Sequence, residues 1–241
     1  MSSAAVWHEV ECGGYSADLE TWARLAEAAG EGRVLELGCG TGRVALHLAR
    51  RGHELWAVDA DPPLLAALEA QASREGLSIQ VVCADVRALG LDREFELIIA
   101  PMQLVQMLGG TAARRATLAR AATHLSDGGR LAAAIVERPA ASLAHAAAAL
   151  PDVRERQGWI YSSLPTIVPT AGGDLEIRRL RQAVSPDGSL SEEDHVDRLE
   201  ALDAEWLESE AEASGLRPLD RLDVPAAEGY LGATVVVLGR A

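Results

Sequence analysis

Glu36, Gly38, Gly40, Gly42, Asp59 and Asp85 are the residues whose types and spacing point to chemistry. They lie in VLELGCGTGRV (34–44), AVDAD (57–61) and CADV (83–86), each at the end of a short apolar run. Three glycines within five positions are costly in backbone entropy, so this turn needs positive φ angles or a ligand pressed against its main chain. The GxGxG spacing lacks the later glycine of the dinucleotide pattern GxGxxG. Glu36, two residues before the first glycine, is out of place beside a pyrophosphate and suited to a cationic group. Asp59 stands 17 residues after Gly42, where a carboxylate can accept from both ribose hydroxyls. Asp85 is placed to accept from an adenine amino group, with the Val86 amide near a ring nitrogen. Together they ask for a ligand with a nucleoside at one end and positive charge at the other.

Such residues must sit at the carboxyl ends of parallel strands, where ligands bind in open α/β sheets. The pattern supplies them. RVLELG (33–38), ELWAVDA (54–60), IQVVCAD (79–85), FELIIAP (95–101) and RLAAAIVE (130–137) read as strands one to five, apolar almost throughout as expected when both faces are covered. Between them come helices over 17–29, stopped by Gly30, over 43–51, from Asp61–Pro62 onward, and over 112–125. Beyond Pro139 an Ala-rich helix to Leu150 is expected, then antiparallel strands in GWIYSS (158–163), LEIRRLRQAVS (175–185) and SLSEEDHVDRLEAL (189–202), the last two joined at SPDG. Asp203 caps a helix through Ser214, and RPLDRLDV and GATVVVLGR end the chain as two strands.

Composition narrows the chemistry. All 22 Lys+Arg residues are arginines, which excludes a lysine Schiff base and a P-loop lysine. The formal net charge of −14 opposes nucleic-acid backbones and anionic membranes and favours a small-molecule substrate. Arg178, Arg179 and Arg181 read as the solvated face of a strand. Cys12, Cys39 and Cys83 lack metal-ligand or redox spacing, and no apolar run reaches the ~20 residues that span a bilayer. A cytoplasmic chain is expected.

VLELGCGTGR, AVDAD, CADV, FELIIAP and HLSDGGRL, in this order, resemble the class I S-adenosyl-L-methionine (AdoMet)-dependent methyltransferases over roughly residues 16–138 and the final two strands. The resemblance implies an α/β, Rossmann-like seven-stranded sheet with its last strand antiparallel, helices on both faces, and an antiparallel β insertion after strand five. It divides the chain into a lid and AdoMet-binding part (1–138), an insertion over the acceptor site (139–202) and a C-terminal completion of the core (203–241). AdoMet, leaving as S-adenosyl-L-homocysteine, is expected on Tyr15, Glu36, Gly38, Cys39, Gly40, Gly42, Arg43, Asp59, Ala60, Ala84, Asp85, Val86, Ala100 and Pro101.

The strand-four ending and the insertion are similar to small-molecule N-methyltransferases of the glycine and sugar-amine types. By that similarity Met102, Gln103 and Gln106 face the acceptor, Trp159 and Tyr161 wall it, and the insertion covers the site or forms a homodimer interface. His195, on an insertion strand, is the candidate for proton transfer. APMQ (100–103) differs from the D/N-P-P-F/Y of base-amino methylases, and Ala100 cannot replace the aspartate of cation-dependent catechol enzymes, so no metal is expected. A protein that binds AdoMet only to regulate a partner, and an NAD-dependent oxidoreductase, remain as alternatives.

Overall fold

Strands apolar on both faces need helices on both sides, and the computed structural model, which describes residues 3–137, 150–227 and 230–241, supplies them. Strands β1 (Val34–Leu37), β2 (Leu55–Asp59), β3 (Ile79–Cys83), β4 (Phe95–Ala100), β5 (Leu125–Ile135), β10 (Leu216–Val224) and β11 (Ala233–Arg240) form one sheet, in the order β10-β11-β5-β4-β1-β2-β3. The first five run parallel, and β11 is antiparallel to both β5 and β10.

Side chains alternate across this sheet, so neighbours in sequence enter different cores. Leu35, Leu37 and Ile98 pack beneath α6 (Thr111–His124) and α7 (Ala204–Glu212). Val34, Leu97 and Ile99 pack with Trp22 of α2 (Leu19–Ala28) and with Val44 and Leu48 of α3 (Arg43–Arg50). Leu65 and Leu68 of α4 (Pro62–Glu75) close a third cluster with Ala45 and Ala57. Arg114 ties α6 to α7 through a buried pair with Glu210, at 2.8 and 3.0 Å, and to the segment before α7 through Glu200.

Between β5 and α7 the chain builds a second, antiparallel sheet from β6 (Asp152–Arg156), β7 (Trp159–Pro169), β8 (Leu175–Val184) and β9 (Leu190–Leu199), in that order. It faces the carboxyl ends of the core strands, and α1 (Ser3–Cys12) lies between, touching β6, β7 and α4. A short α5 (Leu104–Met107) follows β4.

The expected class of sheet and the insertion after β5 are present. Three local elements differ from the sequence reading. Helix α1 was not expected, although Val6, Trp7 and Val10 are buried at helical spacing. Strand β6 is too polar to carry an apolar signal and is recruited by pairing with β7. Strand β5 begins at Leu125, so SDGG lies within it at a register irregularity instead of forming a separate turn. Of the helix expected beyond Pro139 to Leu150, only Leu150 is described, and it is exposed and outside any helix; the rest of it and the boundary after residue 138 fall outside the described residues.

Candidate functional site

The glycine loop takes left-handed backbone at all three positions, with φ of 66° at Gly38, 54° at Gly40 and 89° at Gly42. A Cβ would overlap Leu104 at Gly38, the His8 imidazole at Gly40 and Leu68 at Gly42. Close protein packing therefore joins backbone conformation as the reason for these glycines. The loop is anchored by Asp59, whose Oδ2 accepts from the Gly40 amide at 2.8 Å and whose Oδ1 accepts from the Asp61 amide at 2.9 Å. Each carboxylate oxygen keeps a further lone pair for a ligand hydroxyl.

A cleft of about 490 Å³ opens beside this loop, a size suited to a cofactor or metabolite. Gly38, Cys39, Arg43, Asp59, Asp61, Pro101, Met102 and Gln103 line its core wall, with Glu36 at the base. Glu36 is 2 % exposed, and its Oε2 has no hydrogen-bond partner. Burial pushes its carboxyl up to about 8. The charge of Arg43 and a hydrogen bond from the Ala45 amide pull the other way without outweighing burial, and the Arg43 guanidinium is itself held by Asp18 at 2.5 and 2.7 Å and by the Tyr15 carbonyl at 2.9 Å, over the Tyr15 ring. A buried carboxylate with an unfilled oxygen in an open cleft is a receptor for a cation.

The opposite wall comes from the second sheet. Strand alternation turns Ile177, Arg179 and Arg181 of β8, and His195, Asp197 and Leu199 of β9, toward the cleft. Arg181 is bound by Glu11 of α1 at 2.6 and 2.8 Å, and Glu11 also accepts from the Ser163 hydroxyl. Arg179 differs: Glu11, Asp152 and Asp197 lie 3.7–3.8 Å away, and its buried Nε and Nη1 make no hydrogen bond. His195 Nε2 meets Asp197 Oδ1 at 3.1 Å. A smaller cavity of about 70 Å³ continues from the same seam and adds Tyr15, Asp152 and Tyr230. Met102 and Gln103 line both cavities and hold consecutive positive φ angles of 48° and 61°, a strained turn fixed at the junction.

The structure thus gathers Glu36, Gly38, Cys39, Arg43, Asp59, Pro101, Met102, Gln103 and His195 around one cleft, with Tyr15 on its smaller extension. Gly40 and Gly42 shape the loop from behind, and Ala60, Ala84, Val86 and Ala100 are not among the lining residues. Asp85 turns away: it caps the following turn through the Arg87 amide at 2.8 Å and pairs with the Arg87 guanidinium, which holds its carboxyl down to about 2.

Three expected acceptor residues are elsewhere. Gln106 is buried as a structural tie, donating to the Val136 and Glu200 carbonyls and accepting from the Val136 amide. Tyr161 packs edge-on against Trp7 and stacks with Trp159, so both brace α1 from the face of the insertion that α1 covers, beside a separate pocket and not among the residues lining the cleft.

Glu11, Arg179 and Asp197 were missed, and His8 was ranked below His195 as a proton-transfer candidate. Period-two alternation was the available signal for the arginines: it separates exposed Arg178 from inward Arg179 and Arg181, which the reading of one solvated face had merged. Among the described residues no cluster of His, Cys, Asp and Glu could hold a metal ion, and no helix is long and apolar enough to cross a membrane.

The sheet order, with an antiparallel strand beside its end and a glycine loop after β1, defines the class I methyltransferase fold. Residues 34–129 match the family described as "Methyltransferase domain". The chain is 32 % identical over 78 residues to hemagglutinin 1 of Eikenella corrodens, covering 32 % of this chain and 26 % of that protein. It is 30 % identical over 106 residues to the ubiquinone biosynthesis O-methyltransferase of Nitrobacter winogradskyi, covering 44 % and 39 %. The match thus spans well under half the length of these curated relatives. The solved sugar N-methyltransferase KedS8 of a Streptoalloteichus species superposes on 100 % of this chain and 94 % of its own, with a TM-score of 0.77 at 20 % identity. The chain has the class I methyltransferase fold, and its residues 34–129 match the methyltransferase-domain family.

Proposed function

We propose that the cleft binds AdoMet and that the chain transfers its methyl group to a small-molecule acceptor, with nitrogen favoured over oxygen. The observation that carries this reading is Glu36: a buried carboxyl at the base of the cleft, with its Oε2 lacking a hydrogen-bond partner, fits the ammonium of a methionine moiety. Asp59, oriented by two main-chain amides, fits a ribose diol at the other end. Bound AdoMet supplies a methyl group already activated on a sulfonium.

The chain's own task is then to hold an acceptor in line and to exclude water. The cleft is covered by α1, which is fastened to the insertion by Glu11–Arg181 and by Arg156–Glu9 at 2.9 Å. The acceptor site in this reading is the seam of Met102, Gln103 and Arg179 between the two cavities. The acidic lining at Asp152 and Asp197 suits an amine, and a solved neighbour named as a sugar N-methyltransferase supports nitrogen.

The same reading assigns no nucleic-acid or membrane partner, a cytoplasmic location and a homodimer. The homodimer is placed on the outer face of the second sheet, where Leu164 and Leu180 are paired across β7 and β8, each 39 % exposed. The test is a calorimetric titration with AdoMet, S-adenosyl-L-homocysteine and NAD, followed by an acceptor screen with amines and phenols. Binding of the first two with turnover of an amine supports the proposal. Binding of NAD alone overturns it, and tight AdoMet binding with no turnover favours a regulatory AdoMet-binding protein.

A further inference from the structure

An alkylamine is an ammonium at neutral pH and has no lone pair until it loses a proton, so a methyltransferase for such an acceptor needs somewhere to put that proton. On the insertion wall His195 and Asp197 stand two residues apart on one face of β9, and both line the cleft that Glu36 and Asp59 line from the core side. His195 Nε2 is 3.1 Å from Asp197 Oδ1, and its Nδ1 has no protein partner among the described residues. The carboxylate fixes the proton on Nε2 and leaves the Nδ1 lone pair free. A base held by an orienting carboxylate at the wall of a cleft is the arrangement that proton abstraction requires.

We propose, resting on the methyl-transfer reading above, that His195 is the general base that deprotonates an amine acceptor and that Asp197 is its positioning residue. The N–H bond of the ammonium breaks and its proton bonds to Nδ1, while the bonding electrons stay on nitrogen as the lone pair. That lone pair takes the methyl group, and the electrons of the broken carbon–sulfur bond remain on the departing thioether. The imidazolium, stabilised by Asp197, returns its proton to solvent.

The charged and titratable groups sharing this side of the cleft are Asp197 on β9, Arg179 directly across on β8, Arg181 beyond it, and Glu11 and His8 on α1. The core wall contributes Glu36, Arg43, Asp59 and Asp61. Glu11 is taken by Arg181 and Arg43 by Asp18, which leaves Arg179 opposed by Asp152 and Asp197 beside the imidazole.

The test joins a spectrum of the free protein to a comparison of two acceptor classes. In a long-range proton–nitrogen NMR spectrum, His195, assigned by its loss in His195→Gln, should show the Nε2–H tautomer, and Asp197→Asn should shift the population toward Nδ1–H. With an alkylamine acceptor, His195→Gln should lower kcat/KM by about 10²–10⁴-fold. With an aromatic amine, already neutral at pH 7, the same variant should change kcat/KM by less than about threefold. An Nδ1–H tautomer in the wild type, or equal losses on both acceptor classes, overturns the assignment. The predicted tautomer with no turnover of any acceptor overturns the methyl-transfer reading, and this role with it.

Discussion

Replacing Glu36 with glutamine removes a buried charge site while keeping its shape, and it should move stability and binding in opposite directions. Burial raises the Glu36 carboxyl from 4.5 to about 8. A pKa raised in the folded state means that the fold holds the proton more tightly than the open chain does. Its contribution is therefore full below pH ~4.5 and is lost as pH rises toward about 8.

At ~1.36 kcal/mol per unit, the wild type loses about 3 kcal/mol between the ordinary carboxyl value and pH 7, and up to about 5 kcal/mol once pH passes the folded-state value. The glutamine does not titrate. Glu36→Gln should therefore be more stable than the wild type by about 2–3 kcal/mol at pH 7, a difference that shrinks below about 1 kcal/mol at pH 5. Its AdoMet affinity should fall at the same time, because the ammonium loses its counter-charge. Urea unfolding of both proteins from pH 5 to 8.5, without ligand, measures the first effect, and calorimetry the second. A stability difference that does not change with pH would refute the burial argument. Unchanged affinity would refute the ammonium assignment.

Asp59→Asn should weaken AdoMet binding by about 1–3 kcal/mol through loss of a charge-assisted acceptor; calorimetry on a variant with unaltered circular dichroism checks it, and equal affinity removes the ribose role. Gly40→Ala should destabilise the fold by about 1–3 kcal/mol, because it puts a side chain at positive φ and into the His8 imidazole. Adding His8→Ala should restore part of that loss, and strict additivity in the double-mutant cycle would show that the two residues do not touch. For the proposed homodimer, sedimentation should give a dimer for the wild type and a folded monomer for Leu180→Glu; a monomeric wild type would remove that interface.

The core strands were legible in the sequence because burial on both faces writes itself as short apolar runs, as in β1 and β4, with glycines and acids at their ends. Glu36 and Asp59 were singled out by those positions, and both line the cleft, Asp59 also anchoring the glycine loop. Asp85 looked equivalent and is not: Arg87, two residues on, captures its carboxylate, a local competition that spacing does not show. Gln106 was read as facing a ligand, but its amide bridges β5's end and the segment after β9, residues far apart in sequence. The proposed acceptor wall was the least legible part. Its members, Glu11, Arg179 and Asp197, come from three elements that meet only when the second sheet folds over the first, and each alone reads as an ordinary surface charge.

The central claim is that the buried Glu36 receives the ammonium of AdoMet. Its most direct test is calorimetric titration of the protein with AdoMet at pH 7 in two buffers of different ionisation enthalpy, with NAD as the control. With its carboxyl near 8, Glu36 is largely protonated before binding, and an arriving ammonium should expel that proton. AdoMet should bind with micromolar affinity and release close to one proton per site, with no release in Glu36→Gln and no binding of NAD. AdoMet binding without proton release would contradict the role of Glu36, and binding of NAD in place of AdoMet would contradict the account as a whole.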